Sequence, residues 1–169
     1  NNLNGLTGGI LHLFNHALMK GGLFLVVGCV VYRLGHSDIE DFKGLGKRMP
    51  WTMLAFTLGG LSMIGVPLTA GFVSKWYLVL GALDAGLWWV AALVLMASLL
   101  AVVYIWKVLE AAYFEEPLKD KPIEEAPLSL LVPAYVLIGA SIYFGIVTEP
   151  MREACLLYTS DAADEEAGG

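Results

Sequence analysis

The chain is 169 residues long, 57% hydrophobic and only 15% charged, with a mean hydropathy of +0.68. That composition excludes an ordinary soluble domain and indicates an integral membrane protein. The net charge of −6 says little about partners, because most acids gather in segment 110–125 and in the final residues; no nucleic-acid partner is expected. The two cysteines, Cys29 and Cys155, build neither a disulfide framework nor a CxxC metal site.

The chain opens Asn1-Asn2-Leu3, with no initiator methionine and no signal-peptide pattern, and reads as a fragment. Residues 8–32 form a first apolar run, long enough to cross about 30 Å of hydrocarbon as a helix. Its first half carries His12, His16 and Lys20 at spacing i, i+4, i+8, which keeps them on one helical face over roughly 12 Å. Waters can bridge titratable groups so spaced, and charged residues inside a span mark ion or proton paths. Histidines at i and i+4 can also bind zinc, but no third ligand lies nearby, so no metal is expected.

Residues 33–50 are a polar loop with Arg33, Lys43, Lys47 and Arg48. A second apolar run, 51–83, is too long for one straight span. Within it lies Gly65-Val66-Pro67-Leu68-Thr69-Ala70-Gly71-Phe72-Val73-Ser74-Lys75. Pro67 lacks the N–H that a continuing helix needs, and Gly65 and Gly71 loosen the backbone on either side. The expectation is a discontinuous helix of two halves. Exposed backbone at membrane depth survives only where protein or a watery cavity satisfies it, so the break predicts a polar interior. Lys75, one turn past Gly71, is too far from the next polar loop at Asp84 to snorkel easily.

After the turn Asp84-Ala85-Gly86, a third span covers 87–114, with Trp88 and Trp89 suited to an interfacial belt. Near its far end, Lys107 is a secondary candidate for the ion path; it can also pair with Glu110 or reach the headgroups. Residues 115–126, charged and proline-rich, form an exposed connection, and the fourth span is 127–147. Arg33, Lys43, Lys47, Arg48, Lys107, Lys119 and Lys121 fall on one side and only Arg152 on the other. The positive-inside rule therefore places loops 33–50 and 115–126 in the cytoplasm of a multi-pass protein of the cell inner membrane.

Residues 155–165, Cys-Leu-Leu-Tyr-Thr-Ser-Asp-Ala-Ala-Asp-Glu, resemble the in-frame translation of a transposase sequencing adapter. Residues 155–169 are accordingly expected to be foreign to the native protein, and the native domain to occupy 1–154.

His12-Leu-Phe-Asn-His16-Ala-Leu-Met-Lys20, Gly44-Leu45-Gly46 and the Gly65-to-Lys75 segment together resemble the antiporter-like proton-translocating subunits. That family comprises membrane-arm subunits of NADH:quinone oxidoreductase (complex I) and the A and D subunits of Mrp cation/proton antiporters. The resemblance covers residues 8 to about 147. It implies an all-α integral membrane fold, here four transmembrane helices of a larger antiporter-like bundle with one helix discontinuous, drawn from the second of two inverted repeats. It also implies that the first span carries the histidine and lysine relay, and that Lys75 is the lysine beside the broken helix. Some paralogues have glutamate there, and Lys75 argues against that branch. His12 with His16 is similar to the largest complex I member and the Mrp A subunit, whereas Trp76-Tyr77 is similar to the smaller paralogue and the Mrp D subunit.

The expected function is translocation of protons, or of protons and sodium, by a chain with no cofactor of its own. Its partners would be the lipid bilayer and other membrane subunits of complex I or of an Mrp antiporter. The alternatives are a subunit of a related hydrogenase complex or a purely structural membrane subunit. No nucleophile, phosphate-binding loop or metal cluster supports catalytic chemistry within the chain.

Overall fold

The structure, a computed structural model, describes residues 3–117, 123–149 and 153. The expectations for Lys119, Lys121, Arg152 and the 155–169 tail fall outside the described residues. Among the described residues the fold is entirely helical: α1 (Leu3–Leu34), a 3-10 turn (Ile39–Phe42), α2 (Leu45–Arg48), α3 (Pro50–Ile64), α4 (Ala70–Asp84), α5 (Trp88–Phe114) and α6 (Leu128–Ile146). Helices α1, α5 and α6 are long and apolar enough to cross a membrane, and α3 is a shorter apolar helix. The second span is therefore made of α3 and α4 in series, broken between Ile64 and Ala70.

The first helix starts at Leu3, about five residues before the expected Gly8. Tertiary contact explains the extension. Asn4 Nδ2 donates to Asp84 Oδ2 at 2.7 Å, and a Cβ on Gly81 would lie 2.4 Å from the Gly5 backbone. Further along, a Cβ on Gly8 would lie 2.7 Å from the Leu78 nitrogen. Glycines thus let α1 and α4 run antiparallel with their backbones nearly touching, the close approach on which helix association in lipid depends.

One stripe of α1 (Leu11, Asn15, Met19, Leu23, Val26, Val30) is buried against α3, α4 and α6. Large side chains elsewhere on the bundle, among them Phe24, Trp51, Trp88, Leu99 and Val136, face outward. An apolar exterior is what a lipid solvent requires. Segments 35–49, 115–117 and 123–127 lie at the same end of the bundle: Lys43 pairs with Glu115 at 3.0 Å, Gly44 N donates to Ala111 O at 3.1 Å, and Arg33 pairs with Glu124 at 3.4 Å.

Candidate functional site

The site grows out of the break in the second span. Gly65 ends α3 with φ +92°, a left-handed conformation that costs glycine nothing. Gly65 N and Val66 N both donate to Leu61 O at 3.1 Å. The chain then reverses through Val66-Pro67-Leu68-Thr69, closed by Thr69 N donating to Val66 O at 3.2 Å. Leu68, with φ +75°, holds the position that such a proline turn normally gives to glycine. Thr69 caps α4: its hydroxyl accepts from Phe72 N at 3.4 Å and donates to Val66 O at 2.7 Å. Gly71 is obligatory for a different reason, since a Cβ there would lie 1.9 Å from Ser62 O.

Ending α3 leaves carbonyls without helical partners, the usual deficit at a helix C-terminus. Lys75 supplies them. Its Nζ donates to Met63 O at 2.7 Å, to Ile64 O at 3.0 Å and to Ser98 Oγ of α5 at 2.9 Å. Ser98 gives its own proton to Val94 O at 3.2 Å, so its oxygen is free to accept. An ammonium has three protons and here three acceptors, two of them at the negative end of a helix dipole. Proline and glycine break the helix, and the broken end becomes a lysine's ligand.

Helix α1 closes the other side. Asn15, 1% exposed, donates from Nδ2 to Ala70 O at 3.0 Å. Its Oδ1 is buried and has no hydrogen-bond partner. One turn earlier, His12 Nδ1 lies 3.1 Å from Ser74 Oγ. Ser74 donates to Gly71 O at 3.2 Å. With that hydroxyl proton on Gly71 O, Ser74 Oγ is left to accept from the His12 Nδ1–H. His16 follows along the helix, its ring tilted 43° to that of His12 with the centroids 5.6 Å apart.

Lys20 departs from this row. It lines a separate cavity of about 160 Å³ with Leu23, Phe24, Phe56, Met63 and Tyr104. Met63 stands between the two lysines: its carbonyl holds Lys75, while its side chain walls the Lys20 cavity. The structure thus brings Lys75 and His12 to α4 beside the break, with Lys20 adjoining through Met63, while His16 is exposed on α1 and reaches the group through its ring contact with His12. Lys107 lies elsewhere. It is exposed on α5, as is Glu110, and forms no ion pair with it.

Sequence reasoning missed Asn15, Ser74 and Ser98, and a buried pair, Ser62 with Ser141, whose hydroxyls are 2.7 Å apart across α3 and α6. The available signal was small polar residues recurring singly in apolar helices, a pattern that also serves ordinary packing in membranes.

Residues 1–101 match the family described as "NADH:quinone oxidoreductase/Mrp antiporter, TM". The chain is similar to NADH-quinone oxidoreductase subunit N of Desulforudis audaxviator, 41% identical across 93% of this chain and 34% of the relative. It is similar also to the D subunit of the Na(+)/H(+) antiporter of Bacillus subtilis, 30% identical across 85% of this chain and 28% of that protein. Among solved structures, the Mrp complex from Dietzia sp. DQ12-45-1b superposes with a TM-score of 0.83 at 24% identity, over 91% of this chain and 37% of that one. The chain spans about a third of the length of these relatives. It is multi-pass, and it belongs to the NADH:quinone oxidoreductase/Mrp antiporter transmembrane family.

Proposed function

We propose that this segment carries the proton-handling site of a subunit that moves protons, or exchanges protons for sodium, across the cell inner membrane. The observation that carries the reading is the lysine in the break: Lys75 Nζ on Met63 O, Ile64 O and Ser98 Oγ. A lysine inside a span is costly, and this one is held by backbone that exists only because the helix is interrupted. Protonated, it saturates three acceptors. On releasing its proton it keeps only two donors and loses its attraction to the end of α3, so one acceptor falls free and the break must readjust.

The magnitudes suit a pump. A hydrogen bond to a charged group is worth about 1.5–3 kcal/mol, and moving one charge through 100 mV about 2.3 kcal/mol. Proton loss at Lys75 can therefore be coupled to rearrangement without either effect swamping the other. His12, and His16 beyond it, offer the next stops on one side, since imidazole can both donate and accept a proton, and Lys20 the next on the other. The 41% identity to a subunit N favours a quinone-oxidoreductase assembly over an Mrp antiporter, and its membrane subunits would be the partners.

The test is proton uptake into vesicles by the full-length protein in its assembly, comparing the parent with Lys75→Met at equal protein. Uptake should collapse in the variant. Parent-like uptake would make Lys75 a structural residue and the segment a structural membrane part.

A further inference from the structure

Helix α3 is held at its other end by a residue from far along the chain. Met49, at its N-cap, provides no side-chain cap, and Pro50 at the first position has no N–H. The next two amides donate instead to the carboxylate of Glu125: Trp51 N to Oε2 at 3.0 Å and Thr52 N to Oε1 at 3.2 Å. The Thr52 hydroxyl donates to the same Oε1. Glu125 is itself tied down, its backbone carbonyl accepting from Arg33 Nε at 2.9 Å and also from Arg33 Nη2. Beside it, Tyr135 of α6 donates to Trp51 O at 2.8 Å. So the N-cap of α3 comes from the loop before α6 and is braced by the end of α1.

The 15-residue α3 is a rod of about 22 Å. At its positive end sits the Glu125 carboxylate, and at its negative end the Lys75 ammonium, each on the side the helix dipole favours. The rod also rests on α5, where a Cβ on Gly60 would lie 2.8 Å from Ile105 Cγ2. Lys75 takes its third partner, Ser98, from that same α5. The depth to which α3 is inserted therefore decides whether Met63 O and Ile64 O meet the lysine, and one end of that register is fixed by Glu125.

We infer that Glu125 is a positioning residue for Lys75: by capping α3 from the neighbouring loop, it sets the axial register that presents the Met63 and Ile64 carbonyls to the lysine. The transport arm of the test rests on the function proposed above; the contact arm does not.

The experiment places the full chain in lipid bilayers with 15Nζ-lysine and 13C-carbonyl isoleucine, and reads the Lys75–Ile64 dipolar coupling by solid-state NMR, with Lys75→Met identifying the signal. In Glu125→Ala, amide exchange at Trp51 and Thr52 should rise about tenfold or more, as expected for loss of a charge-assisted cap, and the Lys75–Ile64 coupling should be lost. Glu125→Gln keeps an acceptor oxygen and should restore much of the coupling. Faster exchange with an unchanged coupling would make the cap purely local and overturn the proposal; so would unchanged exchange. If Glu125→Ala does not fold, Glu125→Gln is compared with the parent, a smaller loss of both signals being expected and no change in either being fatal. Proton uptake by the full-length assembly carrying Glu125→Ala should fall with the coupling. A lost coupling with normal uptake would leave Glu125 as the positioning residue and sink the role of Lys75 in translocation.

Discussion

Lys75 Nζ sits 2.7 Å from the carbonyl oxygen of Met63, twelve residues earlier in the chain, so the lysine closes the gap that the helix break opens. Two substitutions separate its charge from its proton. Lys75→Met leaves the Met63 and Ile64 carbonyls without a donor, and a stranded buried acceptor costs about 1–3 kcal/mol. Lys75→Arg keeps a permanent cation at the helix end but holds its proton throughout. Thermal unfolding in detergent should show Met as the less stable of the two, while proton uptake is lost in both. Equal stability of the Met variant and the parent would mean that water replaces the ammonium at no cost.

Gly71 and Gly65 shape the same break for different reasons, and alanine at each should fail differently. At Gly71 the new methyl would meet Ser62 O at 1.9 Å, a clash with backbone that no rotamer relieves. At Gly65 the nearest atom is a side-chain methylene, Lys75 Cδ at 3.2 Å, a far milder contact, and the main cost is the backbone at φ +92°, about 1–3 kcal/mol. Gly71→Ala should therefore lower the unfolding midpoint further than Gly65→Ala. The reverse order would show that α3 and α4 can slide apart easily.

Leu68 holds a left-handed φ of +75° while its side chain is 68% exposed. It bears the strain of the turn without a packing reward. Leu68→Asn or Leu68→Gly should relieve that strain and raise stability by up to about 1 kcal/mol, glycine gaining less because it widens the unfolded ensemble. A drop in midpoint for both would indicate that Leu68 packs against something outside this chain.

The buried hydroxyls of Ser62 and Ser141 satisfy one another across α3 and α6. Removing one strands the other, whereas removing both leaves two small apolar groups. Ser62→Ala and Ser141→Ala should each cost about 1–3 kcal/mol and the double variant less than their sum. Strict additivity in a double-mutant cycle would argue against the shared bond.

How much of this was legible in the residues depended on whether the cause was local. Gly65, Pro67 and Gly71 announce a break because they punish a helix wherever it lies, and the halves run Pro50–Ile64 and Ala70–Asp84 against an expected 51–83. Spans expected at 87–114 and 127–147 are Trp88–Phe114 and Leu128–Ile146. Where tertiary contact decides, the sequence is mute. Asn4 and Gly5 are helical because Asp84 and Gly81 receive them, and Lys75 finds Ser98 only because α5 folds back beside α4. His12 and Lys20 share a stripe by spacing, yet α1 turns one to Ser74 and the other to the cavity beside Met63.

Orientation is the last expectation open to test. Ser37, in the loop after α1, and Ala85, in the turn after α4, are both exposed. They lie at opposite ends of the bundle: the loop of Ser37 packs with the Glu115 and Glu125 segment through Arg33 and Lys43, whereas Ala85 adjoins Asp84, which receives Asn4 from the start of α1. Of the described basic residues, Arg33, Lys43, Lys47, Arg48 and Lys107 gather toward the Ser37 end, so the positive-inside rule puts that end in the cytoplasm. Cys29, the free cysteine among the described residues, is fully buried and would react slowly, but it is best replaced together with Cys155. In the full-length protein in intact cells, a single cysteine at Ala85 should then be labelled by an impermeant thiol reagent, and one at Ser37 only after the membrane is opened. Labelling of Ser37 alone in intact cells would invert the topology and place the Glu125 cap on the outer face.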